Sequence, residues 1–192
     1  MARTYTKSKR AENEGETRDR IIAAALQLHT EIGPNRTTVS MIADRAGVQR
    51  HTVYAHLPDE RSIYMACSGL HVQRAPLPSP ELWAALNDPE ARLRAALTAL
   101  YAWFADNEPI TAAVLRDAEQ NAVLAEVAGI RFGEPFGAIY LSLADGLGAK
   151  SSAALRLALS FYTWRSLVRE AGMAPADAVH LMTRSVLAAE TA

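Results

Sequence analysis

The sequence predicts an all-α protein in two parts, a three-helix helix-turn-helix head followed by a larger helical-bundle body. Three observations lead there. The stretch Thr38 to Leu57, TVSMIADRAGVQRHTVYAHL, spells a helix, a tight turn at a single glycine and a second helix. Apolar residues elsewhere recur at helical spacing, and nothing reads clearly as a strand. The segment APLPSP (Ala75 to Pro80) then interrupts regular structure with three prolines, which marks a joint between head and body.

Residues 1–16 read as a flexible basic arm. Arg3, Lys7, Lys9 and Arg10 suit either an arm that adds phosphate or minor-groove contacts or a solvated tail. Thr17 can cap the first helix, and Gly33-Pro34 stops it, because glycine fits just past a helix end and proline cannot continue one. Thr37 or Thr38 can cap the next. Val39, Ile42, Ala43 and Ala46 give that helix one buried face, and Ala43 is small enough for another helix to cross close by. Gly47 ends it in the left-handed conformation, and Val48 and Val53 reach back into the same small core. The second helix then leaves Gln49, Arg50, His51, Thr52 and Tyr54 outward. These side chains hydrogen-bond to base edges or phosphates when a helix lies in a major groove; the plainer alternative is an ordinary helical hairpin. Asp59 can cap a further helix that runs to about Arg74, so the head covers residues 17–74.

From Thr17 to about Ala66 the chain resembles the head of the TetR family of ligand-responsive repressors. The resemblance is carried by TRDRIIAAALQLHTEIG (Thr17 to Gly33), TTVSMIADRAGV (Thr37 to Val48) and TVYAHLPDE (Thr52 to Glu60), at their spacing here. It implies that Tyr54 and His56 contact phosphates and that Gln49, Arg50, His51 and Thr52 read bases. Thr38 and Ser40, at the start of the helix before the turn, join the DNA-contacting set. Two positions depart from the pattern. The family usually has a phenylalanine where this chain has His29, and a phosphate-contacting lysine where it has Glu60, which would repel a phosphate. Arg61, the next residue, is the candidate to take that role. His29 is expected to pack in the head core, since histidine tolerates a half-apolar site.

The body is expected over residues 81–192. Asp88-Pro89 places a capping acid before a proline at the first helical position, and Leu93, Leu97, Leu100, Tyr101 and Phe104 keep helical spacing after it. Glu108-Pro109 starts another helix the same way. Gly129, Gly133, Pro135 and Gly137 break up the next region, which leaves helix limits open between Asn121 and Gly148. Ser151 to Glu170 reads as one helix with a single polar stripe of Arg156, Ser160 and Thr163, hence covered on more than one side. Gly172 and Pro175 punctuate, and Ala176 to Glu190 forms the last helix. The family resemblance implies that the last two helices pair with those of a second subunit, with Leu159, Trp164, Val179, Met182 and Val186 at the interface. The alternative is that they form the core of a monomeric body.

Material for a small-molecule pocket is present in the body. Trp103, Phe104, Phe132, Phe136, Tyr140, Tyr162 and Trp164 supply aromatic walls and Arg116, Asp117, Gln120 and Arg165 polar contacts, although an aromatic at helical spacing is more often core. Trp103, Phe104, Arg116, Asp117, Gln120, Phe136, Tyr140, Tyr162 and Arg165 are the candidate ligand-binding residues. Other chemistry is weak. Cys67 and His71 are spaced as two ligands on one helical face without a third, Gly146-Leu147-Gly148 lacks the strand and further glycine of a dinucleotide site, and Asp117 and Glu119 face different sides of a helix. The Asn35-Arg36-Thr37 sequon has no secretory context. Neither metal, cofactor nor enzyme activity is expected.

Composition fits this picture. The 192 residues, 49% hydrophobic, are enough for a sizeable core, and no apolar run reaches a membrane-spanning length. MARTYTKSKR has no apolar signal region, and the single cysteine suits a reducing cytoplasm. The net charge of −1 divides unevenly, with 11 basic and 8 acidic residues through Arg74 and 9 and 13 beyond it. The basic balance therefore sits on the head. The sequence reads as a cytoplasmic homodimeric repressor released from a palindromic operator in double-stranded DNA by an unknown small-molecule effector. The alternative is a ligand-independent DNA-binding protein whose body only dimerises or recruits partners.

Overall fold

The computed structural model describes the backbone of residues 2–190 and the side chains of residues 12–190. It is all-α, with no strand among the described residues. Among the described residues ten α-helices follow in order: α1 (Ala2–Ile32), α2 (Val39–Ala46), α3 (Arg50–His56), α4 (Glu60–Arg74), α5 (Pro89–Asp106), α6 (Glu108–Ala118), α7 (Ala122–Ala144), α8 (Ala149–Ala158), α9 (Phe161–Trp164) and α10 (Pro175–Ala188). Short 3-10 turns at Pro34–Arg36 and Pro80–Leu82 link them.

The chain divides into two compact units. The first joins the chain up to Arg74 with Pro109–Arg131, and the second joins Ala75–Glu108 with the chain from Phe132 onward. The expected boundary at Arg74 is therefore only half of the division, because a segment assigned to the body, Pro109–Arg131, completes the head unit. The reason is long-range packing: Leu124 and Val127 are buried against Tyr64 of α4. Nothing in the local sequence announces that partnership.

In the first unit α1 crosses α2 and α4 over a core of Ile21, Ala25, Leu28, Ile42, Ala43, Val53, Leu57, Ile63 and Cys67. Small Ala24 and Ala25 let the helices approach closely, and burial pushes the Cys67 thiol up to about 12. This helix starts at Ala2 rather than at Thr17, so residues 2–16 continue into it. Thr17 lies within it and satisfies its hydroxyl by donating to the Asn13 carbonyl, at 2.8 Å, instead of capping. The side chains of Arg3, Lys7, Lys9 and Arg10 lie outside the described residues.

In the second unit Asp88 caps α5, accepting from the Ala91 N–H at 3.0 Å, and α5 buries Leu93, Ala96, Leu97, Leu100, Tyr101 and Phe104. Two expectations fail here. Helix α7 runs unbroken through Pro135, which costs it one backbone bond, while Ile139 and Leu143 hold its C-terminal half in the core. The single helix expected over Ser151 to Glu170 is two: α8 ends at Ala158, and Ser160 caps α9 by accepting from the Tyr162 N–H at 3.2 Å. A π-helical turn, Arg165–Glu170, completes α9. Ser160 is thus a helix start, not part of a polar stripe.

Helix α10 packs against α5 and α8, and it buries Ala178, Val179, Met182, Thr183 and Val186. This bears on the expected subunit interface. Leu159, Trp164, Val179, Met182 and Val186 are between 0% and 7% exposed within one chain, so the subunit's own core already covers them. Helical spacing identifies the apolar face of α10 but not which neighbour covers it. We expect Val186→Glu to destabilise the subunit itself by several kcal/mol, on the order of the cost of burying an unpaired carboxylate. Denaturant unfolding checks this, and a mutant with unchanged midpoint would place Val186 outside the core.

Candidate nucleic-acid interface

The turn between α2 and α3 is built from its backbone outward. Thr38 caps α2, its hydroxyl oxygen accepting from the Met41 N–H at 3.2 Å. Gly47 closes the helix with φ 67° and ψ 40°, a left-handed conformation that a side chain would resist, and Val48 N–H returns to the Ala43 carbonyl at 3.0 Å. Gln49 then begins α3, its carbonyl accepting from Thr52 and Val53. The helix buries Val53, and Leu57 just after it is also buried. Both anchor α3 on the core shared with α1 and α2.

Everything else on α3 faces outward or sits at the rim. Gln49, Arg50 and His51 are exposed, Tyr54 is 45% exposed, and Thr52 and His56 are half-buried. Among the described residues the side chains of Gln49, Arg50, His51 and Thr52 make no hydrogen bond or ion pair. Nearby arginines behave differently. Arg45 is held by both oxygens of Glu31 at 2.8 Å, which ties α2 to α1. Arg61 donates twice to Glu126 Oε1, at 3.1 and 2.9 Å. That ion pair, exposed on both sides, occupies the guanidinium proposed from sequence for a phosphate contact. Thr38 is exposed at the N-terminus of α2 and Ser40 is half-buried one residue into it.

The entry to α2 is fixed by a polar cluster that sequence reading missed. The Asp117 carboxylate, 6% exposed, accepts from the Asn35 N–H at 2.9 Å and from Arg116 Nε at 2.8 Å. The Asn35 amide returns a bond to the Asp117 carbonyl at 3.1 Å. Gly33, at φ 92°, lies so close that a Cβ there would run into Asp117 and Arg116. Just before α7, Asn121 donates to Asn35 Oδ1 at 3.0 Å and Glu60 Oε1 at 3.1 Å, and Glu60 also accepts from the Tyr64 hydroxyl at 2.7 Å. Asn35 was visible only as part of a sequon, and Asn121 gave no signal at all.

His29 is 4% exposed, its ring centroid 5.6 Å from that of Tyr64. Burial lowers its pKa from 6.5 to about 4, against the opposing pull of the Asp117 charge.

The residues proposed from sequence as ligand contacts are shared between the two units. Arg116, Asp117 and Gln120 belong to the first unit, and Asp117 serves the turn just described. Trp103, Phe104, Phe136, Tyr140, Tyr162 and Arg165 belong to the second. There Phe104 is core, stacked on Phe136 at 6.4 Å and edge-on to Phe161 at 5.5 Å. Trp103 donates to the Ala75 carbonyl at 3.0 Å, and the Arg156 guanidinium lies 4.3 Å over the Tyr140 ring. Arg165 pairs with Glu170 at 3.8 Å. No cluster of three or more metal-ligating side chains, and no helix long and apolar enough to cross a membrane, occurs among the described residues.

A family model described as bacterial regulatory proteins of the tetR family matches residues 21–64, the stretch from α1 through the start of α4. The similarity to that family is thus confined to the head. An uncharacterised HTH-type transcriptional regulator of Mycobacterium tuberculosis is 40% identical over 60 residues, 31% of this chain and 32% of the relative. The HTH-type transcriptional repressor BepR of Brucella suis is 39% identical over 67 residues, 35% of this chain and 30% of BepR. The matches thus span about a third of the length of these relatives. At the level of fold, similarity extends much further. The TetR family regulator PfmR of Thermus thermophilus superposes with a TM-score of 0.64 at 21% identity, over 88% of this chain and 95% of PfmR. A transcriptional regulator of Rhodococcus gives 0.64 at 19% identity, over 91% and 96%.

The depressed pKa of His29 sets a pH dependence. The imidazole is neutral when folded and takes up a proton below about 6.5 when unfolded, so stability is fully present above that pH and is lost as pH falls toward about 4. The shift corresponds to about 3 kcal/mol at one pKa unit per 1.36 kcal/mol. We expect His29→Phe to flatten the fall in unfolding free energy between pH 6.5 and pH 4. Identical pH profiles for the two proteins would mean that His29 is not buried neutral.

Proposed function

We propose that the protein is a sequence-specific DNA-binding transcriptional regulator, a homodimeric repressor that a small-molecule effector releases from a palindromic operator. The observation that carries the DNA-binding part is the outer row of α3. Arg50 and His51 are exposed and unpaired beside Gln49 and Tyr54, while the neighbouring Arg45 and Arg61 are neutralised by carboxylates. Donors left free on a short helix anchored by Val53 and Leu57 suit a major groove. Thr38 and Ser40 at the start of α2, together with Tyr54 and His56, are the candidates for phosphate contacts, whereas Gln49, Arg50, His51 and Thr52 are the candidates for base edges.

A homodimer follows from the reach of recognition, because one short helix reads few base pairs and two heads double the site. The second unit leaves Leu157 of α8, Tyr162 of α9 and Leu181 of α10 exposed by 59%, 49% and 42%. Those residues, rather than the buried valines, are the candidates for the subunit contact. The repressor assignment is supported by the likeness to BepR, whose description is that of a repressor. The effector part rests on the second unit. Among the described residues, Trp164 Nε1 and Thr183 Oγ1 are buried there without a hydrogen-bond partner, two donors for an acceptor-bearing molecule, and the Trp164 ring packs on Phe104 and Phe161. An effector that favours a spacing of the heads other than one DNA turn, about 34 to 36 Å, would release the operator by population shift.

Selection from random duplexes, followed by competition binding at fixed salt, tests the reading. A preferred inverted repeat is expected, and no enrichment would refute it. Arg50→Ala should cost about 1 to 3 kcal/mol on the selected site and relax preference at one position, whereas Tyr54→Phe should weaken all sequences alike. Equal loss on specific and random DNA for Arg50→Ala would remove it from base reading. Leu181→Glu should yield a folded monomer by sedimentation; a folded dimer would move the contact elsewhere.

A further inference from the structure

We propose that the head carries a second binding site, a pocket for a small protonated amine between the end of α1, the start of α2, α3 and the start of α4. The cavity has a volume of about 260 Å³ and is walled by His29, Thr37, Tyr54, Asp59, Glu60 and Tyr64 over an apolar floor. It lies entirely within the first unit. At about 30 Å³ for each water in the liquid, it holds a molecule of roughly eight non-hydrogen atoms.

The chemistry of the walls selects the charge. Asp59 Oδ1 is used by the Ser62 N–H at 2.7 Å, and Glu60 Oε1 by Tyr64 and Asn121, which leaves one oxygen of each carboxylate for a ligand. The positive end of α4 opposes a cation, but it amounts to about half an elementary charge against two full negative ones. An anion is excluded by the same count. The tyrosine rings offer negative faces to an ammonium group, and Val39, Ile42 and Ile63 suit its alkyl stem. An independent pointer is His29. Its side chain is 4% exposed, lines the cavity and makes no hydrogen bond among the described residues, so its ring nitrogen is available to a ligand there. Burial keeps it uncharged, with a pKa of about 4, so it accepts from an ammonium rather than repelling it.

The two positions that depart from the family pattern, His29 and Glu60, thus meet in one cavity. A bound amine would restore positive charge beside Tyr54, on the face carrying α3, and raise affinity for DNA. This second part rests on the DNA-binding reading; occupancy of the pocket does not.

Titrating the full-length protein without DNA, with n-butylammonium chloride as probe and with sodium chloride and 1-butanol as controls, tests the site. Calorimetry and amide chemical shifts should show saturable binding of the ammonium alone, with shifts confined to the end of α1, α3 and the starts of α2 and α4. Glu60→Gln, which keeps an acceptor for Tyr64, should weaken binding at least tenfold, and His29→Phe, which fills the cavity, should abolish it. A non-saturating response, or equal affinity in Glu60→Gln and wild type, overturns the site. With a selected duplex at constant ionic strength, the ammonium should raise wild-type affinity several-fold and leave Glu60→Gln unchanged. Pocket binding without that gain overturns the second part alone, and absence of any duplex binding is failure of the DNA reading instead.

Discussion

The head unit depends on one buried negative charge. Asp117 would be costly to remove from water if it were isolated, and it is tolerated because the Asn35 N–H and the Arg116 guanidinium both meet it below 3 Å. That requirement propagates outward. It needs Gly33 without a side chain, it sets the Pro34–Arg36 turn, and the turn delivers Thr38 to cap α2. The orientation of α2 then fixes α3 through Gly47 and the shared core. The position of the outward side chains of α3 is thus inherited, step by step, from a carboxylate on a different stretch of chain.

Charge in the head is sorted rather than merely accumulated. Arg45, Arg61 and Arg116 are engaged by carboxylates that brace helices, and Arg131 by the Ser68 hydroxyl and the Met65 carbonyl. Exposed ion pairs of this kind contribute little stability singly, so their role is positional. Arg50 and His51 have no such duty. Arginines that brace helices and arginines left free therefore cannot be told apart by counting basic residues, only by following each guanidinium to its partner.

Local signals were legible in the sequence, and partnerships were not. The Thr38 cap, the Gly47 turn, the stop at Gly33-Pro34 and the Asp88-Pro89 start all appear where the residues announce them, because each works through backbone bonds within a few positions. The same locality misled at Thr17 and Ser160. Either can cap a helix or sit inside one, and tertiary packing chose differently from the reading in both cases. Pro135 was read as a break, but a proline removes one bond and a well-buried helix survives it. Apolar spacing located the buried faces of α9 and α10 but assigned Trp164 and Val186 to a partner, since periodicity measures burial without naming what does the burying.

The head unit is discontinuous, and this bears on how the chain can be made and cut. A fragment ending at Arg74 would lack Asp117 and Asn121 for the Asn35 turn and would leave Tyr64 without Leu124 and Val127. During synthesis the helix-turn-helix emerges early, yet its supports arrive only once the ribosome has passed Arg131. Until then the nascent head carries an unanswered polar turn and an uncovered apolar strip on α4. The order of translation therefore makes the head, though first in sequence, a late structure to become complete.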